Sequence, residues 1–309
     1  MLIQFYRGLK IGEPSKAQKK VQCNQNRWQN TDEGRLPMDL EDEAENAQEN
    51  GDLETACALW KEIAARNKDA TSFFSYARLA QNLGRWGEAE SAFAEALRLE
   101  PGFSLGMEGM GILWYERADR DETESLQTAK DWYLKAIELD RNACVLTLLG
   151  CAYLGLGDLT AAQHAFEQAI QIDPRYEEAM YNLAAMNQER NPARPVELLE
   201  RAIEIDPDYS LAHQRLGVLR HRSGDLIRAE CHFRRSLEAD PTDYWSHLYL
   251  ANCLAVQGRE TEAEQTYRFV TSLQPENEGG LKFFANFLES IGKKEEASAV
   301  RAKIKPDAR

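Results

Sequence analysis

The chain has no run of apolar residues near the ~18 that a membrane-spanning helix needs, so no membrane insertion is expected. Basic residues are outnumbered, 37 Lys and Arg against 51 Asp and Glu, for a net charge of −14. An acid excess repels phosphate backbones, which makes nucleic acid a poor partner. Its six cysteines (Cys23, Cys57, Cys144, Cys151, Cys231 and Cys253) form no CxxC pair and no zinc-ligand spacing. They are expected to be reduced and mostly buried. Of the five histidines, His232 adjoins Cys231, but their side chains diverge around a helix, and no metal site is expected. There is no GxxxxGK[ST] loop, GxSxG elbow or HExxH pair, so no catalytic residue and no cofactor are expected. The apolar patch from Met1 to Tyr6 is too short for the core of a secretory signal, and a cytoplasmic location is expected.

What the chain does have is a repeated pattern. Ala89, Phe93, Ala96, Leu97 and Pro101 recur in register as Ala162, Phe166, Ala169, Ile170 and Pro174, and again as Ala229, Phe233, Ser236, Leu237 and Pro241. Pro174, Pro207, Pro241 and Pro275 lie 33, 34 and 34 residues apart. That period marks stacked helical hairpins rather than one globular core. Each period holds two apolar stretches of helical spacing around a glycine turn at Gly84, Gly157, Gly224, Gly258 or Gly292, where a helix end tolerates positive φ. A small residue (Ala77, Gly111, Gly150, Ala184, Gly217, Ala251 or Ala285) marks each first helix. The second helix carries Ala56, Ala89, Ala129, Ala162, Ala229, Ala263 or Ala297 and, four residues on, a bulky plug: Trp60, Phe93, Tyr133, Phe166, Leu199, Phe233 or Tyr267.

These residues resemble the tetratricopeptide repeat (TPR) family. The resemblance implies an all-α fold, a right-handed α-solenoid superhelix of about eight helix-turn-helix units, at 37–69, 70–103, 104–142, 143–176, 177–209, 210–243, 244–277 and 278–309. Residues 1–36, with seven Lys and Arg against three Asp and Glu, show no repeat and are expected to be a disordered tail, or a basic segment folding back on the acidic array; Met38 is an alternative start. Three irregularities stand out. The third unit has about six extra residues between Glu116 and Gln127, read as a long polar loop, and Arg141 replaces its closing proline. The fifth has Pro195 at the crossing position, so its second helix should start late, near Asn191 or Ala193. In the last, Arg301 replaces the plug, as suits an exposed end.

In this family the first helices line a concave groove through positions 2, 5, 6, 9, 12 and 13 of each unit. Those positions give an apolar N-terminal half with little charge: Phe74, Arg78, Leu105, Ile112, Tyr115, Leu148 and Leu154. The C-terminal half carries amides, aromatics and cations: Tyr181, Asn182, Gln214, Arg215, His221, Arg222, Trp245, Tyr249, Asn252, Lys282 and Asn286. Cations kept in the groove of an acidic chain suit carboxylates or the backbone of a bound peptide. The family's chaperone-tail carboxylate clamp is not expected: Asn182 and Arg215 match it, but Thr147, Cys151 and Leu211 do not. His213 and His247 share a packing slot and are expected in the core. The expected function is a non-catalytic scaffold or adaptor that holds another protein or a peptide in the groove. Two alternatives are a regulatory or assembly subunit of an enzyme or secretion complex, docking through the convex face or the 116–127 loop, and a self-associating structural protein.

Overall fold

The computed structural model describes residues 40–119, 122–187 and 193–304, and it forms sixteen α-helices among them with no strand. No described helix is long and apolar enough to cross a membrane. The chain divides into two compact units, Met1–Pro174 and Arg175–Arg309. The tail 1–36, Met38 and Asn191 lie outside the described residues.

The first unit holds four helix pairs: α1 (Leu40–Glu49) with α2 (Leu53–Asn67), α3 (Ala70–Asn82) with α4 (Trp86–Leu99), α5 (Ser104–Glu116) with α6 (Glu122–Leu139), and α7 (Ala143–Gly155) with α8 (Leu159–Ile172). Each first helix packs on its partner and on the second helix before it; α3 also touches α5, and α5 touches α7. No second helix packs on another second helix. The first helices α3, α5 and α7 therefore form a contiguous inner layer, with the second helices spread outside it.

The second unit repeats this plan: α9 (Glu177–Asn187) with α10 (Ala193–Ile205), α11 (Ser210–Arg222) with α12 (Leu226–Ala239), α13 (Tyr244–Val256) with α14 (Glu260–Leu273), and α15 (Glu278–Ser290) with α16 (Lys294–Arg301). Its inner layer is α9, α11, α13 and α15.

Packing explains the repeated residues. Phe93, Tyr133, Phe166, Leu199, Phe233 and Tyr267 are all buried, and so is every crossing alanine. Where the small residue is glycine, the ring lies directly on it: a Cβ would come within 2.4 Å of Tyr133 at Gly111, 2.5 Å of Phe166 at Gly150 and 2.6 Å of Phe233 at Gly217. Glycine at those positions is a steric requirement. The turn glycines all hold positive φ, from 70° at Gly84 to 83° at Gly292, and Gly51 joins them at 78°.

The residue after the turn glycine takes one of two roles. Asp52, Asp158 and Asp225 accept the amide of the third residue beyond and so cap the second helix. Arg85, Arg259 and Lys293 cap nothing; they reach back to acids on the preceding second helix, Arg259 to Glu230 at 2.7 Å and Lys293 to Glu264 at 2.7 Å. In the third pair Arg117 does the same, 2.7 Å from Glu90.

Among the described residues, the stretch 116–127 is helical rather than the long polar loop expected. The helix α5 runs on through a 3-10 turn (Arg117–Asp119), and α6 starts at Glu122 and is 18 residues long. The extra residues lengthen the second helix because Ser125 and Leu126 are buried, and Leu126 lies against Gly155. Helix α10 starts late, at Ala193, with Pro195 buried in its first turn. Arg301 is exposed and pairs with Glu289 at 2.5 Å. Cys57, Cys151 and Cys253 are buried, Cys144 is half-buried and Cys231 is exposed; Cys23 lies outside the described residues.

Candidate functional site

In the second unit the inner layer assembles an aromatic and cationic surface. Arg215 of α11 reaches back to α9, donating to the Tyr181 hydroxyl at 3.3 Å with its guanidinium 5.8 Å from the ring centre. Tyr181, Asn182 and Arg215 are all buried, so they brace one first helix against the next. Gln214 makes the following brace, donating to Asp243 at 2.6 Å and Ser246 at 3.3 Å at the start of α13.

The open part of this face belongs to α13. Trp245 is 47% exposed and its ring centre lies 6.2 Å from that of Tyr249, which stacks on the buried plug Phe233 at 5.8 Å. Burial pushes the Tyr249 hydroxyl above its ordinary pKa, with Arg215 and Arg222 opposing the shift, so both guanidiniums act on this ring. Arg222 is exposed and makes no ion pair among the described residues. His221 beside it is half-buried, and burial holds its pKa below the ordinary histidine value. Asn252 is half-buried on the same helix. On α15, Lys282 turns to Glu278 at 3.1 Å and Asn286 accepts from Arg301 at 3.0 Å, so neither joins the α13 surface.

Two apolar residues of this face were missed, Val256 and Phe283, at 58% and 46% exposure. Both occupy inner-layer positions in the same register, at positions 13 and 6 of their units, and could have been read there.

In the first unit, Phe74 meets Phe103 edge-on at 5.6 Å and Phe93 at 5.9 Å, with the Arg78 guanidinium 5.9 Å from its ring centre. Leu105 is exposed, Ile112 and Tyr115 are half-buried, and Leu148 and Leu154 are buried. The reading of this strip as nearly uncharged needs correcting: Glu108 sits at position 5 of the third pair. On the outer side, a cleft of about 240 Å³ lies between α6, α7 and α8, lined by Leu134, Ile137, Leu149 and Tyr153 with Arg141 and His164 among its edges.

Of the two histidines expected in the core only His213 is buried; His247 is half-buried, its Nε2 2.9 Å from the Pro241 carbonyl, and His164 is exposed. His213 is buried, its Nε2 is 3.0 Å from the Pro207 carbonyl, and its Nδ1 is 3.1 Å from Nδ1 of His232. Among the described residues no group of three or more His, Cys, Asp or Glu could hold a metal ion.

Stacked helical hairpins with an inner layer of first helices define a repeat scaffold of the protein-interaction class. Family models agree: tetratricopeptide repeats match at residues 41–104, 145–176, 198–230 and 232–265, a little over half of the chain. The chain belongs to the tetratricopeptide repeat family. No curated protein matches it in sequence. Among solved structures, the APC/C hetero-tetramer Cut9–Hcn1 matches 81% of this chain with a TM-score of 0.67 and 13% identity; the match spans 48% of that protein's chain. Pseudomonas aeruginosa PilF matches 73% of this chain and 99% of its own, with a TM-score of 0.62 and 16% identity. A tetratricopeptide repeat protein from Parabacteroides merdae matches 81% and 97%, with a TM-score of 0.59 and 15% identity. At these identities the likeness is one of fold.

Proposed function

We propose that the protein is a non-catalytic adaptor whose second unit holds an extended segment or helix of a partner protein on the α11–α13–α15 inner face. The observation that carries this reading is an unspent recognition surface: Trp245 and Val256 of α13 and Phe283 of α15 are exposed on the inner layer, and Arg222, exposed at the end of α11 with its charge acting on Tyr249, has no ion pair among the described residues. Elsewhere in the unit, Arg220, Arg234, Arg259, Arg268 and Lys293 are tied to carboxylates. Exposed aromatics beside a cation supply the rigid contact area and charge-assisted hydrogen bonds that dominate peptide capture. The partner segment that fits carries an apolar or aromatic residue next to a carboxylate.

Affinity capture from the source cells with the full chain tests this. Trp245→Ala with Arg222→Gln should remove the captured partner while far-ultraviolet circular dichroism stays unchanged. Undiminished recovery with the double variant would overturn the groove reading. The outer cleft beside Leu134 supports a second reading, convex-face docking in a larger assembly, and Leu134→Glu would then be the variant that loses the partner.

A further inference from the structure

The residue after the plug is charged or small in six hairpins: Lys61, Ala94, Glu167, Glu200, Arg234 and Arg268. Three of these cross to the residue just before the next crossing alanine and so close the outer groove between neighbouring second helices. Lys61 reaches Glu88 at 3.0 Å, Arg234 reaches Glu262 at 3.9 Å, and Arg268 bonds Glu296. Glu200 is held from the inner helix instead, by Arg220 at 2.7 Å. Between α6 and α8 the same two positions hold Leu134 and Ala161, which can form no ion pair. Leu134 is the one large apolar residue to follow a plug. What remains is the cleft of about 240 Å³, floored by Leu146 and Leu149 and walled by Leu134, Ile137, Ala161 and Ala165. Water in such a cleft meets few polar partners, so an apolar occupant is favoured.

The chain itself carries a segment that fits. Leu2, Phe5, Tyr6 and Leu9 follow the i, i+3, i+4, i+7 spacing of anchors on a groove-binding helix. Residues 1–20 hold five Lys and Arg against one Glu, whereas residues 40–174 hold 11 Lys and Arg against 25 Asp and Glu. Beside Arg141 at the end of α6, Glu138 and Asp140 are exposed and have no ion pair among the described residues. The local balance therefore also favours a basic segment. The link from Leu9 to α1, residues 10–39, reaches at most about 100 Å when extended. The cleft lies between the third and fourth hairpins, roughly 25 Å from the first at about 10 Å per packed layer.

We propose that residues 2–9 of this chain dock in the α6–α8 cleft, their apolar side seated on Leu134, Leu146 and Leu149, and so close the groove that lacks its ion pair. A tethered occupant acts at an effective concentration on the order of millimolar, so modest contacts suffice. An outside partner reaches this face only by displacing the segment. The proposal stands independently of the α13 surface.

Photo-crosslinking tests it on the dilute full chain, with p-benzoylphenylalanine in place of Phe5 and isotopically light and heavy chains mixed. Mass-spectrometric mapping should find the main products at Leu134, Ile137, Ala161 or Ala165 of the same chain. Leu134→Lys with Ala161→Glu copies the Lys61–Glu88 bridge across the groove; helicity should be kept and the cleft products should fall at least tenfold. Leu9→Asp, which alters no hairpin residue, should lower them by a similar factor. Absence of cleft products, products centred on the inner face or the second unit, products joining light to heavy chains, or a cleft yield that neither variant lowers would each overturn the proposal.

Discussion

At the scale of single residues, the repeat is held by side chains that cannot change independently. Gly217 has the Phe233 ring within 2.6 Å of where a Cβ would stand. Gly217→Ala gains helix propensity but overpacks a filled core, and the expected net loss is about 1–2 kcal/mol in chemical denaturation. Adding Phe233→Leu should recover part of it, since Leu199 is the plug that faces the pair with Ala184. The His213–His232 contact predicts a pH dependence. Burial lowers both pKa values, that of His232 to about 4, with His213 itself adding to the shift. Neutral imidazoles are therefore favoured in the fold, so this stability is complete above the ordinary value of 6.5 and is lost as pH falls toward 4. Allowing for partial exposure, the loss is about 1–2 kcal/mol, and His232→Gln should flatten that part of a thermal-denaturation pH series. The plugs, alanines and turn glycines were legible in the sequence because each recurs at a fixed spacing. The histidine pair was not, since it joins two helices through residues that occupy different repeat positions.

At the scale of helices, the residue after each turn glycine decides how a hairpin is fastened. Aspartate there caps its own second helix, whereas Arg or Lys ties the hairpin to the one before it. Arg259 bonds both Glu230 at 2.7 Å and Glu262 at 2.5 Å. Such partly exposed pairs contribute modestly, so Arg259→Ala should lower stability slightly, and less at high salt. Asp225→Ala removes a cap instead and should cost about 1 kcal/mol, with a weaker salt dependence because most of the loss is the local hydrogen bond to the Arg228 amide. Comparing the two variants at low and high salt separates the mechanisms. Helix number and pairing could be read from the 33- and 34-residue spacing, but the extension of α6 could not. Its composition from Glu116 to Gln127 is polar enough for a loop, and only the burial of Ser125 and Leu126 against the neighbouring hairpin makes it helical. The candidate surfaces were legible in part for a similar reason. Inner-layer positions followed from register, while the bracing roles of Tyr181 and Arg215 depend on contacts between helices that register alone does not report.

At the scale of the whole molecule, charge is unevenly shared. Residues 40–174 hold 11 Lys and Arg against 25 Asp and Glu, and residues 175–309 hold 19 against 22. Acidic segments should thus favour the second unit and cationic ones the first. Capture on the α13 surface should weaken as ionic strength rises, and a salt-independent affinity would show that Arg222 takes no part. Damage should also stay local. Phe93 is buried between α4 and α5, with its ring on Gly109. Phe93→Ala should cost about 3–5 kcal/mol, with hydrogen-exchange protection lost chiefly across α3, α4 and α5 and retained in α7 and α8. Protection lost evenly across the first unit would show that its hairpins melt together.

The contact pattern also bears on how the chain is made. Each helix touches only its own partner and the adjoining hairpin, so no contact within a unit waits for a distant stretch of sequence. Chains with such short-range contacts fold quickly. A hairpin leaving the ribosome needs only the next first helix to cover its plug, so burial can advance with synthesis, leaving the newest plug as the main sticky surface. A pause in translation just after a second helix would prolong that exposure, and a pause after the next first helix would not.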